Sequence, residues 1–395
     1  MNSCGRIACS IWRSGLNTVS SLVRPRKNWR RCPEAAPSLS RSNTTAAKQA
    51  PGSDPGSDLG SDTREKPRLR AIDLARKVQQ EKTKPQTEEP QLSGQQKRVM
   101  ELKRFSLQLQ NVHPNVLAKH LHRNLLYQDK DVVVINKPYG VPVRDDSRVM
   151  SISSVLPVLA QMMDGLKIKS DSQLLPCLKL EKETTGALLL ARREEVVEHI
   201  LNLQRNNQVQ RKYWVITVGV PVPSEGVIDI PIIEREVTGS KPHYKMGLSP
   251  LYRMNDAGDG VTKVRAHRQA HAAVTKYRVL DSSSGCSLVE LQPFPGVKHQ
   301  MRVHMALALT CPILGDHKYS HWSKLAPQKL PERVLGKLGL EQSKIRHLPL
   351  HVHARQLTLL GAKQANISVS CPLPKYFSQA LHRLNLTLPD KEDDK

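Results

Sequence analysis

Large apolar side chains are spread unevenly along this 395-residue chain, and that limits where a fold can form. Residues 34 to about 110 are rich in Ser, Pro, Gly, Gln and charge, and Pro51-Gly-Ser-Asp54, Pro55-Gly-Ser-Asp58 and Leu59-Gly-Ser-Asp62 form a small tandem repeat. Such a stretch cannot bury enough apolar surface to offset its ordering entropy, so a disordered basic linker is expected over residues 34–114. Weak helical spacing at 70–78 and 95–107 fits solvated charged segments, with basic helices as the alternative. From about residue 120 regularly spaced apolar runs broken by turn residues take over. A folded domain is expected over 115–388, followed by a disordered acidic tail at 389–395.

Within that domain, Val132–Ile135 is a β-branched run ending at Asn136-Lys-Pro-Tyr-Gly140, a strand entering a turn. Gly186–Ala191 reads as a short buried strand. A helix of about three turns follows, opened by Glu194 and Glu195 and spaced by Val197, Ile200, Leu201 and Gln204. Residues 209–220 alternate, with Tyr213, Val215 and Thr217 on one face and Trp214, Ile216 and Val218 on the other; Trp214 is the better core candidate. Further strands are expected at 226–232, 272–280, 287–292 and 349–359, and a helix at 300–309 with Gln300 and Arg302 in its first turn. Strands at hairpin spacing with few helices predict an α+β domain on a mixed, largely antiparallel sheet.

Sixty Lys and Arg against 36 Asp and Glu give a formal charge of +24, suited to a polyanionic partner. No apolar run approaches the roughly eighteen residues of a transmembrane helix, which favours nucleic acid or targeting over a membrane. Part of the charge reads as targeting. Residues 1–33 carry Arg6, Arg13, Arg24, Arg26, Lys27, Arg30 and Arg31, with no acid before Glu34. Scattered among Ser, Leu, Ile, Val and Trp12, these have the composition of a mitochondrial presequence, an ordinary basic tail being the alternative. Without those seven charges +17 of the +24 remains, so the nucleic-acid reading survives cleavage.

The seven cysteines, at 4, 9, 32, 177, 286, 311 and 371, form no Cys-x-x-Cys pair, so neither a disulfide framework nor a zinc finger is expected. The histidines, His299, His304, His351 and His353 among them, lack acidic or Cys partners at ligand spacing, and no metal site is expected.

Glu181-Lys-Glu-Thr-Thr-Gly186, Arg211-Lys-Tyr213 and Gly296-Val-Lys-His-Gln-Met-Arg302 put a carboxylate, an aromatic hydroxyl and a guanidinium in one domain. That equipment suits a base taken out of an RNA strand. With Asn136–Gly140 before them and Gly315-Asp316 with Tyr319 after, these segments resemble, in order, the RluA-type family of pseudouridine synthases over residues 120–388. The family's central motif reads His-Arg-Leu-Asp, a charged pair, then Thr-Ser-Gly. This chain reads Leu178-Lys-Leu-Glu181, so Glu181 stands at the family's Asp, Lys179 at its Arg and Leu178 at its His.

The resemblance implies a pseudouridine synthase catalytic domain, an isomerase that breaks the N-glycosidic bond of a uridine, turns the base and rejoins it through C5, with no cofactor or metal. Glu181 would act at the ribose and glycosidic bond. Tyr213 would pack on the uracil and serve in proton removal at C5, and Arg302 would pair with the carboxylate and help occupy the space the base leaves. Glu183 aligns with a charged position that is not catalytic, on the same side as Glu181 if the segment is extended. Lys137, Lys179, Arg211, Lys212, Lys298 and Gln300 are the expected RNA-binding residues. The expected partner is structured mitochondrial RNA, ribosomal, transfer or messenger, in the matrix, with a nuclear pool left open. The alternative is a catalytically inactive RNA-binding or ribosome-assembly protein on the same fold, because Glu181 is one methylene longer than Asp. A DNA-binding protein has no helix-turn-helix or zinc signature behind it.

Overall fold

The structure, a computed structural model, describes residues 93–389 apart from 145–149, 165–172, 238–241, 251, 255–260, 264–266 and 362–365, together with Gln79. The expected presequence, nearly all of the linker up to residue 92, the helical spacing at 70–78 and the tail from Asp390 lie outside the described residues.

The elements run in the order α1 (Gly94–Leu107), α2 (Pro114–Arg123), β1 (Leu125–Gln128), β2 (Val132–Lys137), α3 (Ile152–Asp164), β3 (Leu175–Pro176), β4 (Thr185–Ala191), α4 (Glu194–Arg205) and β5 (Val209–Val218). Next come β6 (Glu225–Asp229), β7 (Ile232–Val237), β8 (His243–Leu248), β9 (Tyr252–Met254), β10 (Val261–Lys263), β11 (Val274–Ser283) and β12 (Cys286–Phe294). The chain ends through α5 (Gln300–Val303), α6 (Glu332–Leu338), β13 (Val352–Leu359), β14 (Ile367–Ser370) and α7 (Lys375–Leu384). The main sheet has the order β1-β2-β4-β13-β5-β12-β11-β6, with β3 on β4 and β14 on β13. The β4–β13 pairing is parallel and the other pairings are antiparallel, which makes the sheet mixed and largely antiparallel as expected.

The central strands are apolar on both sides because helices cover both faces. Val133, Ile135, Leu188 and Leu190 pack under α2 and α3. Val132, Val134 and Leu189 face α4 through Ile200 and Leu203. On β5 the alternation holds: Trp214 and Ile216 join a core with α1, α6 and α7, while Tyr213 and Val215 join another with Met305 and Leu350.

Three expectations need correction. The linker does not extend to residue 114, because α1, capped by Ser93 with Gln96, sinks Val99 and Leu102 into the core and is tied down by Arg98 donating to Gln379 at 2.9 Å. The strand expected over 226–232 is two strands. Pro231 has no N–H for a ladder, and beyond it Ile232 starts the separate β7–β8 hairpin. The helix expected over 300–309 keeps α geometry for one turn and then widens to a π-helical turn at His304–Ala308, closed by the Leu309 N–H donating to the His304 carbonyl at 3.2 Å.

Candidate active site

The turn that follows β2 fixes the loop that carries Glu181. Lys137 is fully buried, and its ammonium donates to the carbonyls of Pro138 (3.0 Å), Lys182 (3.0 Å) and Thr184 (2.8 Å). The Gly140 N–H donates to the Lys182 carbonyl at 3.0 Å, and the Thr184 N–H closes the turn onto the Glu181 carbonyl at 3.1 Å. Burial pulls the Lys137 ammonium down to about 7 despite the charges of Glu181 and Glu183. Lys137 therefore straps the loop to the sheet, and its expected contact with RNA is corrected: a side chain with no exposed surface meets no phosphate.

Arg302, at the first turn of α5, is the hub. Its Nε and Nη2 hold both oxygens of Asp316 at 2.9 and 2.8 Å, a bidentate fork that leaves Nη1 for Glu181 (3.2 Å) and Glu183 (3.4 Å). Asp316 has no exposed surface and also accepts the backbone N–H groups of Lys318 and Tyr319, each at 3.0 Å. Burial would raise its carboxyl, but the Arg302 charge and hydrogen bonds hold it below the ordinary range. Burial would likewise weaken the Arg302 base, yet Asp316 and then Glu181 keep it firmly protonated. The Tyr319 ring lies 5.2 Å from the guanidinium carbon and adds a cation–π contact.

Glu181 is held from two sides. One oxygen takes Arg302, and the other accepts the His299 backbone N–H at 3.0 Å. That amide points inward because His299 sits in the left-handed region at φ 57, a strained setting for a residue with a Cβ. Burial pushes the Glu181 carboxyl up from its ordinary value more than Arg302 and the amide pull it down. The Tyr319 hydroxyl accepts the Met246 N–H at 3.2 Å and shares a hydrogen bond of 2.6 Å with His299 Nδ1, whose direction follows the imidazole tautomer. His299 Nε2 lies 4.0 Å from Glu181. Burial, and then the charges of Arg302, Lys318 and Lys298, bring this imidazole down to about 3, so it stays neutral near pH 7.

Glu181 stands between two cavities. The smaller, about 330 Å³, is bounded by Glu181, Thr184, Tyr213 and Met301, with Lys179, Arg211 and Lys298 at its walls. The larger, about 1040 Å³, opens past Glu183 and Arg302 toward His317 and Lys318. Tyr213 is core and cavity wall at once, buried beside Val215 and Leu291 yet facing the small cavity. Arg211 is braced on the Pro295 carbonyl at 2.9 Å and Lys298 is paired with Glu234 at 2.9 Å.

Two other expected RNA contacts are engaged within the protein, although Gln300 also lines the small cavity. Gln300 is buried and spends its amide on the backbone, accepting from Gly296 and Val297 and donating to the Val274 carbonyl and Thr275. It shapes the loop that closes the small cavity. Lys212 follows the strand alternation to the Trp214 face, where it pairs with Glu290 at 3.7 Å, away from the cavity. Glu181–Glu183 forms a turn and not an extended segment, and both carboxylates still face Arg302. Asp316 and Tyr319 stood in the resemblance without an assigned role; a buried arginine needs a buried acid, and Gly315-Asp316 was the available signal. His299 carried no signal, because its role comes from its backbone angle. Among the described residues no cluster of three or more His, Cys, Asp or Glu is placed to hold a metal, and no helix is long and apolar enough to cross a membrane.

A family model for RNA pseudouridylate synthase matches residues 131–307, which carry the Lys137 strap, Glu181, Tyr213 and Arg302. The mitochondrial pseudouridylate synthase RPUSD4 of Danio rerio is 61% identical over 327 residues, 82% of this chain and 91% of that protein. The Homo sapiens RPUSD4 is 50% identical over 331 residues, 82% of this chain and 86% of that one. A solved structure described as human RNA pseudouridylate synthase domain containing 4 superposes with a TM-score of 0.62 at 51% identity, covering 70% of this chain and 98% of that one. With the matched residues forming one site and relatives this similar along most of its length, the chain belongs to the RluA-type RNA pseudouridylate synthase family.

Proposed function

We propose that this chain isomerises uridine to pseudouridine in mitochondrial RNA, with Glu181 as the acting carboxylate. The observation that carries the reading is the fixed Glu181 carboxylate, gripped by Arg302 and the His299 amide at the edge of a small cavity that Tyr213 also lines. A uracil turned out of its strand fills that cavity and puts its ribose at Glu181. The ionised carboxylate acts at C1′, the N1–C1′ bond breaks, the base turns inside the walls and the C5–C1′ bond forms. C5 then loses its proton with Tyr213 serving its removal, and N1 gains one, so the product is an isomer of the substrate. Arg302 favours the ionised form of Glu181 against burial and fixes its direction, which preorganises the charge before substrate arrives. The mitochondrial names of the relatives support a mitochondrial location, and with the basic residues 1–33 read as a presequence the matrix is the proposed compartment. Ribosomal and transfer RNA are the proposed substrates, with messenger RNA a further one.

Tritium release from RNA labelled at uridine C5 tests the chemistry. The native protein releases tritium, Glu181→Gln falls to background, and the acid limb of the native rate lies above the ordinary carboxylate range of about 4.3. The sign follows from Glu181 itself: a raised carboxyl is lost as a base while pH is still falling toward that range. The inactive RNA-binding reading draws on the extra methylene of Glu181. A native protein that is silent while Glu181→Asp releases tritium would establish that reading in place of ours.

A further inference from the structure

The larger cavity adjoins Glu181, yet two of its walls come from elements outside the matched residues 131–307. α1 contributes Lys103 and Leu107, and the short 3-10 helix Gln342–His347 contributes Arg346 and His347. Lys182 and Lys318 line the same space, and its carboxylates, Glu181 and Glu183, are both engaged with Arg302. Among the described residues, Lys103, Lys182, Lys318 and Arg346 have no carboxylate partner, unlike Lys212 and Lys298. The local field is positive enough that His347, already disfavoured as a cation by burial, is further discharged by Lys103, Arg346 and Lys344. At the rim Leu107 and Leu325 are 62% and 57% exposed and set apolar surface beside the basic side chains of the groove.

A nucleotide with its base in the small cavity and its ribose at Glu181 must continue through phosphates on the open side of Glu181, which is this groove. We propose that the groove lined on one side by α1 and Gln342–His347 and on the other by Glu181–Glu183 binds the single-stranded RNA flank of the target uridine, with Lys103 and Arg346 as its phosphate contacts. α1 has a second part in this. Gly140, at φ +78, packs so closely on the end of α1 that a Cβ there would lie 3.1 Å from the Ser106 carbonyl, and the Gly140 N–H holds the turn behind Glu181. The wall that takes the strand thus also supports the catalytic loop. The inference rests on the reading of Glu181 as the ribose-facing group.

Binding of a fluorescent single-stranded, uridine-containing oligoribonucleotide to the full chain tests it, read by anisotropy across a salt series. Lys103→Glu and Arg346→Glu each weaken binding by on the order of tenfold, and the double variant lowers the slope of log affinity against log salt by about 1.4, roughly 0.7 for each phosphate no longer neutralised. Lys97→Glu, an exposed lysine on α1 that does not line the groove, makes the same charge change and leaves affinity near native. Unchanged affinity and slope in the double variant, or an equal loss in Lys97→Glu, overturns the groove. Because binding is read without turnover, native protein that binds through Lys103 and Arg346 but releases no tritium supports the groove and sinks only the enzymatic reading.

Discussion

The Arg302–Asp316 pair shows how one buried residue ties stability to chemistry. Asp316 has no exposed surface and is stabilised as an anion by a bidentate guanidinium and two backbone amides. Removing one partner of such a pair leaves an uncompensated buried charge, which costs about 3–5 kcal/mol. Arg302→Met keeps the bulk and removes the charge, so it should lower stability by about that much at pH 7. The pH dependence has a fixed sign. In the native protein Asp316 is held low, so its contribution is present above the unfolded carboxylate value and fades as pH falls through the lower folded one. In Arg302→Met the same carboxyl is raised and is relieved by protonation, so the gap between the two proteins narrows in acid. Denaturant melts at pH 7 and near pH 4 check this; a gap that stays constant would mean that Asp316 does not depend on Arg302. At this scale the sequence named Glu181, Tyr213 and Arg302, and the structure brings them together: Arg302 pairs with Glu181, and Glu181 and Tyr213 line one cavity. It did not show which groups the protein itself engages, Lys137, Lys212 and Gln300, because one lysine or glutamine looks alike whether it faces phosphate, a carboxylate or three carbonyls.

Elements were legible where burial on both faces writes a continuous apolar run, as in β2 and β4, or where strict alternation marks a two-sided strand, as in β5. The sequence of α1 has the pattern of a solvated helix because only Val99 and Leu102, with half-buried Phe105, face inward from an otherwise polar helix. α3 gave no signal: it carries Pro157 within a helical run, which locally argues for a break. The turn of Gly315-Asp316 makes the link between element and site testable. Gly315 sits at φ +82, and a Cβ there would lie 2.0 Å from the Pro349 carbonyl oxygen just before β13. Both collision partners are backbone, so either the turn that presents Asp316 or the entry to β13 must move. Gly315→Ala should cost roughly 2–5 kcal/mol from left-handed strain and overpacking together. Its C5 tritium release should fall with Asp316 displaced from Arg302, measured at a temperature where circular dichroism reports a folded protein. Native activity in a folded Gly315→Ala would separate the turn from the guanidinium hub.

For the molecule as a whole the question is where the cooperative unit begins. Charge and composition separate a basic N-terminal third from an apolar-patterned remainder, but they set the boundary near residue 115, beyond an element that the core needs. α1 buries Val99 and Leu102 against α7 residues such as Phe377 and Leu381, sets Phe105 between Tyr139 and Tyr376 with ring centroids at 5.2 and 4.5 Å, and backs Gly140 behind the Glu181 turn. Each large apolar side chain fully taken from water is worth about 1.5–3 kcal/mol, so Val99 and Leu102 with the covered part of Phe105 amount to several kcal/mol, comparable with the net stability of a domain. A fragment of residues 93–389 should therefore unfold in one cooperative transition close to that of the longer chain. A fragment of 115–388 should melt well below it and bind a dye for exposed apolar surface, because α7 and Tyr139 lose their cover. Restoring α1 as a separate peptide of residues 93–111 should recover part of the loss if packing alone is responsible. Equal melting of the two fragments would return the boundary to 115 and make α1 an ornament on a complete domain.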